Sequence, residues 1–126
     1  MAVGLSTTHA NNLLEIYRAT SFTAITLYCK LHTGDPGSAG TSNASAVTTR
    51  NACTFAAASG GSMSLSSSPT AYSMTGTETI SHISLWDASS GGNFIRSAAL
   101  TASKSVVNGD TFTLTTLTLA WTPLAA

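Results

Sequence analysis

Histidines, cysteines and carboxylates are the residues of this sequence that could support catalysis or bind a metal ion. Cys29 and His32 lie three residues apart, His32 precedes Asp35, and His82 precedes Asp87. A thiolate beside an imidazole would be a nucleophile, and clustered imidazoles and carboxylates bind metals. Alternation places Cys29 and His32 on opposite faces of one strand, and no further ligand type clusters with either His–Asp pair. We therefore predict no catalytic, metal or cofactor site, and expect a protein that is not an enzyme.

A glycine-rich stretch, KLHTGDPGSAGTSN, occupies residues 30–43. Phosphate-binding loops need a lysine after the glycines or the spacing G-x-G-x-x-G before a helix, and this stretch has neither. Pro36 and Gly37 suit the two central positions of a type II turn, and the Asp35 carboxylate can accept a hydrogen bond from the backbone beyond it. We predict a turn that is structural or lies at an interface edge. The interface candidates here are His32, Asp35, Pro36 and Gly37.

Charged residues are unusually few in this chain of 126 residues. Five basic and five acidic residues make 8 % of the sequence, against a usual value of about 25 %, and the net charge is zero. The basic residues are scattered, which argues against nucleic-acid binding. No apolar run approaches membrane length, and the first residues do not resemble a signal peptide, so we expect a protein made and kept in a cytosol, with buried, reduced Cys29 and Cys53.

One amphipathic helix is predicted near the start of the chain, from about Thr8 to Ala19. Leu13, Leu14 and Tyr17 share one apolar face with the helical spacing of three and four residues. Because a short helix with one apolar stripe does not fold alone in water, this face is expected to pack on the chain's own sheet or on a neighbouring chain.

Most of the remaining chain shows the alternation of short β-strands separated by Gly, Ser and Asn turns. We predict a mainly β fold: a single β-sandwich or jelly-roll-like domain spanning residues 1–126, with an arm and short α-helix over 1–20 and the sandwich over 21–126. Asn108-Gly109 indicates a hairpin, and a phase slip at Thr115-Thr116 indicates a bulge. The Ser-rich residues 59–77 could be an arm outside the core. The predicted core residues are Leu27, Leu31, Phe55, Leu85, Trp86 and Phe112.

Ordered blocks of residues resemble a known family. LYCKLHTGDPGSAGTSN (27–43), TR before FAAASGG (49–61), and ISHISLWDASSGGNFIRSAALTASKSVVNGDTFTL (80–114) are similar to blocks in small virion proteins of tailed bacteriophages, especially those of actinobacteria. The resemblance spans about Ala24 to Leu119. Ser84 departs from it, because many members have Gly before Leu-Trp-Asp.

The resemblance implies a structural component of the virion. Our first hypothesis is a capsid decoration protein bound to the assembled head, with the major capsid protein or other virion proteins as partners and a homo-oligomeric state. The alternative is a tail fibre or minor tail protein, with or without recognition of host-surface carbohydrate. A neutral, Thr-rich surface suits a protein that is covered by neighbours, because little electrostatic repulsion opposes close contact.

Overall fold

The N-terminal helix is short and capped on both sides. The structure is a computed structural model that describes residues 3–21 and 23–120. Helix α1 spans Thr7–Glu15 and continues as a 3-10 turn over Ile16–Arg18. The Ser6 hydroxyl oxygen caps it by accepting a hydrogen bond from the backbone N–H of His9, and Ala19 ends it in a left-handed conformation with φ of 61°. The predicted short helix is therefore confirmed.

Eight strands follow the helix. They are β1 (Leu27–His32), β2 (Asn51–Phe55), β3 (Ser62–Ser67), β4 (Tyr72–Ser73), β5 (Glu78–Trp86), β6 (Phe94–Val106), β7 (Thr111–Phe112) and β8 (Thr118–Ala120). Six form one curled antiparallel sheet in the order β6-β5-β1-β2-β3-β8, and β4 pairs with β7 in a small second sheet. The mainly β prediction is thus confirmed.

A hydrophobic core joins the two sheets. Alternate residues of β1 and β5 point into it, so that Cys29 lies opposite Leu85 and Leu31 lies opposite Ile83. The small sheet and the residues that directly follow its strands cover this face with four buried side chains: Tyr72, Met74, Phe112 and Leu114. The central strands are therefore shielded from water on this side by a second, smaller layer.

Three local expectations need correction. The Asn108-Gly109 turn exists, with Gly109 at φ of 92°, but the strands that it joins pair elsewhere, β6 with β5 and β7 with β4. Residues 113–117 interrupt the strand instead of forming a bulge, because β7 and β8 belong to different sheets. Residues 59–77 are not an arm, since they contain β3 and β4 and place Tyr72 and Met74 in the core.

The Tyr72 side chain ties the small sheet to the large one. Its hydroxyl donates a hydrogen bond to the backbone carbonyl of Cys29 in β1. Burial, together with the neighbouring Cys29, raises the pKa of Tyr72, so the hydroxyl stays protonated and remains a donor. This contact crosses between the two layers of the fold.

We expect Tyr72→Phe to lower the free energy of unfolding by about 1–3 kcal/mol, because a buried carbonyl loses a partner. Urea denaturation measures the loss. Tyr28→Phe is the matched control, since Tyr28 is half-buried on the opposite face of the sheet and its hydroxyl forms no hydrogen bond within the described residues. Equal losses in the two variants would mean that the Tyr72 hydroxyl does not hold the layers together.

Candidate functional site

The glycine-rich loop covers the face of the sheet that is opposite the hydrophobic core. It leaves β1 after His32 and returns alongside the same strand, where Ala44 forms an isolated bridge with His32 and the Ser45 N–H donates to the Leu31 carbonyl. Gly37 has φ of 77°, and its N–H donates to Asp35 Oδ1 at 2.8 Å, as the turn prediction requires. The loop is therefore a folded cover over β1 and β5.

Four residues form a continuous hydrogen-bonded chain under this cover. His32 Nε2 lies 2.7 Å from Ser84 Oγ, and His32 Nδ1 lies 2.8 Å from the Ser42 carbonyl oxygen. The indole N–H of Trp86 donates to Ser84 Oγ at 2.8 Å. We call His32, Ser42, Ser84 and Trp86 the Ser84 network. It joins β1, β5 and the glycine-rich loop.

The terminal groups of the Ser84 network, the Ser42 carbonyl and the Trp86 N–H, determine which atom donates in each hydrogen bond. A carbonyl only accepts, so Nδ1 of His32 must carry hydrogen and donate to Ser42. Burial lowers the pKa of His32, and the Ser42 carbonyl only partly offsets this effect, so the ring is neutral and Nε2 accepts. Ser84 therefore donates to Nε2 while it accepts from Trp86. Each group in the network has the role that its chemistry allows.

The contact between Ser84 and His32 has the geometry of a nucleophile beside a general base. In a hydrolase, the serine oxygen must also reach a substrate carbonyl. Here Ser84 and His32 are both fully buried, and the Ser84 oxygen already accepts the Trp86 N–H. The pair therefore organises the interior of the protein, and its serine has no path to a substrate.

Two further side chains contact the ring of Trp86. The Arg50 guanidinium lies over its ring, 3.9 Å from the ring centroid, and Phe94 packs beside it with the centroids 5.6 Å apart. Arg50 also donates to the carbonyls of Ala88 and Gly91, at 3.1 and 2.6 Å, in the turn after β5. The arginine thereby fixes the turn while it covers the indole.

Asp87 closes the same turn. Its carboxylate accepts hydrogen bonds from the backbone and side-chain nitrogens of Asn93, at 2.6 and 3.0 Å. These bonds, led by the one from the backbone N–H, lower the pKa of Asp87. The Leu-Trp-Asp and Gly-Asn blocks of the sequence thus meet in one hairpin end.

The predicted core residues lie in three environments. Leu27, Leu31, Leu85 and Phe112 belong to the core between the sheets. Phe55 is half-buried and packs against that core, while Trp86 is buried on the opposite face beneath the loop. The sequence missed Tyr72 and Met74, although their alternate spacing after Pro69 was a signal that could have identified them.

The interface candidates are divided between buried and exposed positions. His32 and Pro36 are fully buried within the chain, so neither offers a surface to a partner, which corrects the prediction for them. Asp35 and Gly37 are half-buried in the turn. On the helix, Leu13 is half-buried whereas Leu14 and Tyr17 are 62 % and 83 % exposed. The helix packs on the sheet through His9, so Leu14 and Tyr17 do not contribute to packing within the chain.

An apolar groove lies beside this helix. It has a volume of about 880 Å³ and is formed by α1, the segment before β1, the end of β2 and the start of β3, with β6 and β8. Of the seven large, exposed apolar side chains among the described residues, six belong to the N-terminal segment of the sequence that ends before β1: Val3, Leu5, Leu14, Ile16, Tyr17 and Ile25. Leu5 and Ile25 line the groove itself, and Leu14, Ile16 and Tyr17 lie on α1 and its 3-10 turn.

Gly40 gives a test of the loop's role as a cover. It has φ of 73°, and a Cβ there would lie 2.4 Å from Cδ1 of Phe94. We expect Gly40→Ala to cost about 2–4 kcal/mol, from backbone strain plus steric overlap. Gly60→Ala is the matched control, because Gly60 has φ of 59° with open space around it, and its cost should be about 1 kcal/mol. Denaturant titration of both variants checks this; equal losses would refute close packing of the loop on Phe94.

Acidification should destabilise the fold through His32. A pKa that is lower in the folded than in the unfolded state gives stability that is present above the ordinary histidine value, near 6.5, and is lost as pH falls through the folded value. Burial also lowers the pKa of His9, which acts in the same direction. We expect the melting temperature to fall between pH 7.5 and pH 5, and His32→Gln to flatten that fall. An unchanged pH profile in the variant would contradict the assignment.

Comparisons with known proteins agree with a structural role. No curated protein sequence matches the chain. No helix among the described residues has the length and apolar character needed to cross a membrane. The sequence profile of one family, Podophage GP4 fiber I protein gp80, matches residues 4–122. The narrower resemblance to phages of actinobacteria remains a prediction. The match covers almost the whole sequence, and the chain belongs to this family of phage fibre proteins.

Proposed function

We propose that the protein is a structural subunit of a phage tail fibre, which was the alternative hypothesis from the sequence. The observation that carries this proposal is the match to a fibre protein family over residues 4–122. Capsid decoration, our first hypothesis, gains no support from that match.

The internal architecture supports a structural role. The blocks that resemble virion proteins meet around Trp86, where the loop, Arg50 and the Asp87 turn hold one another. Their residues contact each other and are largely enclosed. Such contacts favour a single conformation of the subunit, because buried polar groups whose hydrogen bonds are satisfied specify a unique packing.

Assembly with other copies or other virion proteins is part of the proposal. The chain has zero net charge, and its exposed apolar side chains are concentrated near α1 and the apolar groove. Such a surface is a liability for an isolated monomer and favours burial against a neighbour. The partners we propose are further copies of this chain and adjacent fibre or tail proteins.

Recognition of host carbohydrate has weaker support. Sugar-binding sites use exposed aromatic rings, and Trp86 is the one tryptophan among the described residues. Its ring is only 7 % exposed and is covered by Arg50 and Phe94. Tyr17 is the one exposed aromatic side chain among the large apolar residues of the described chain, and no other aromatic ring that the structure describes stacks on it.

Location and copy number test the proposal together. Antibodies against the protein should label the tail fibres of intact particles in electron micrographs, and quantitative mass spectrometry should find a few to a few dozen copies per particle. Antibodies against the major capsid protein serve as the control. Labelling spread over the head, with hundreds of copies, would contradict the fibre assignment and restore the decoration hypothesis.

A further inference from the structure

The apolar groove contains one cation without a counter-charge. Arg96 lies at the start of β6 and lines the groove together with apolar side chains of α1, β2, β3 and β8, such as Leu13, Phe55, Met63 and Leu119. Its side chain is partly buried, and its Nε is enclosed without a hydrogen-bond partner. The ion pair in the described part of the chain joins Arg18 to Glu15, away from Arg96.

The enclosed Nε–H of Arg96 is costly without a partner, because a buried N–H loses its hydrogen bond to water. Among the described residues that line the groove, none is acidic. A carboxylate entering the groove would accept the missing hydrogen bond from Nε and neutralise the charge of the guanidinium. The apolar walls would at the same time bury the hydrocarbon part of whatever carries that carboxylate.

We propose that the groove binds a segment of a different virion protein, in which apolar side chains flank one acidic side chain that pairs with Arg96. The proposal rests on the proposed function as a fibre subunit. It deepens that function by assigning the attachment surface and the chemistry of the attached segment.

A second copy of this chain fits the groove less well. Each of its five acidic side chains already accepts a hydrogen bond or pairs with a cation in the fold: Glu15 with Arg18, Asp35 with Gly37, Glu78 with Ala46, Asp87 with Asn93 and Asp110 with Val107. A second copy could therefore offer Arg96 only a carboxylate that already has a partner in its own fold, whereas an acidic side chain of a separate protein is not restricted in this way.

The size and position of the groove also suit a peptide segment. Its volume of about 880 Å³ is within the range that takes a bound ligand of several side chains. Exposed Leu5 and Ile25 extend its apolar surface outward, so that a segment leaving the groove meets further apolar contacts. The edge strand β8 forms one wall, at Leu119 and Ala120.

The first arm of the test uses phage particles assembled without this protein. Purified full-length protein is mixed with them, and bound protein is measured by co-sedimentation. We expect Arg96→Met to weaken binding at least tenfold and Arg96→Lys to weaken it less. Lys104→Met, which removes an exposed positive charge elsewhere on β6, should stay within twofold of the wild type. Binding of folded Arg96→Met within twofold of the wild type would overturn the proposal.

The second arm tests the groove chemistry without particles. Decanoate and decyltrimethylammonium, below their micelle concentrations, are titrated into the isotope-labelled protein and followed by NMR. Decanoate should shift resonances of groove residues and bind at least fivefold more weakly to Arg96→Met, and the cationic amphiphile should bind more weakly than decanoate. Equal binding of the two amphiphiles would overturn the proposal even if the protein is a fibre subunit. If the wild type fails to bind particles although decanoate binds as expected, attachment of the groove to another virion protein is overturned, whereas the fibre assignment is decided by the antibody labelling of tail fibres.

Two other occupants would be revealed in the same experiments. A dimer that dissociates on Arg96→Met, measured by sedimentation velocity, would identify a second copy in the groove and overturn the proposal. Removal of residues 121–126 that raises the affinity for decanoate severalfold would show that this segment competes for the groove, and would also overturn it.

Discussion

The hydrogen bonds that meet at Ser84 are the interaction on which the architecture depends. β5 lies inside the six-stranded sheet and is buried on both faces. A hydrophobic core covers one face without difficulty. On the other face, Ser84 and Trp86 of β5 lie beside His32 of β1, and each of these polar groups must find a partner when the glycine-rich loop closes over it. The Ser84 oxygen supplies two of those hydrogen bonds, and the Ser42 carbonyl in the loop supplies the third.

Low charge explains why the fold relies on hydroxyls and backbone groups. With five basic and five acidic residues, the chain has few side chains that could form ion pairs. Its basic residues are used in other ways: Arg50 covers Trp86 and binds turn carbonyls, and Arg96 lies in the apolar groove. A neutral exterior with exposed apolar residues near α1 is consistent with a subunit that functions when it is covered by neighbours.

Local sequence patterns predicted the secondary-structure elements better than they predicted which elements contact one another. The helix, the strand at Leu27–His32 and the Pro36-Gly37 turn follow from periodicity and turn chemistry, which act within a few residues. The sequence did not reveal that the loop folds back over this face of the sheet, because the loop is linked to β5 through His32, which contacts Ser84 across 52 positions. For the same reason, His32 was expected to be available to a partner and is instead buried.

From the sequence, the site could be predicted only as separate blocks of residues and not as one assembled cluster. Their order in the chain indicated a virion protein, but their meeting around Trp86 depends on the pairing of β5 with both β1 and β6. Ser84, the noted departure from the resembling proteins, supplies the central oxygen of the network, so this feature distinguishes the chain from members with glycine there. The groove was beyond sequence reasoning, since its walls come from six separate segments.

The central claim is that a neutral His32, with hydrogen on Nδ1, joins Ser84 to the loop. The most direct test is the nitrogen-15 NMR spectrum of the His32 ring at neutral pH. We predict a protonated Nδ1 whose hydrogen exchanges slowly with solvent, and an unprotonated Nε2 that accepts from Ser84. Hydrogen on Nε2, a charged ring, or rapid exchange at Nδ1 would contradict the account.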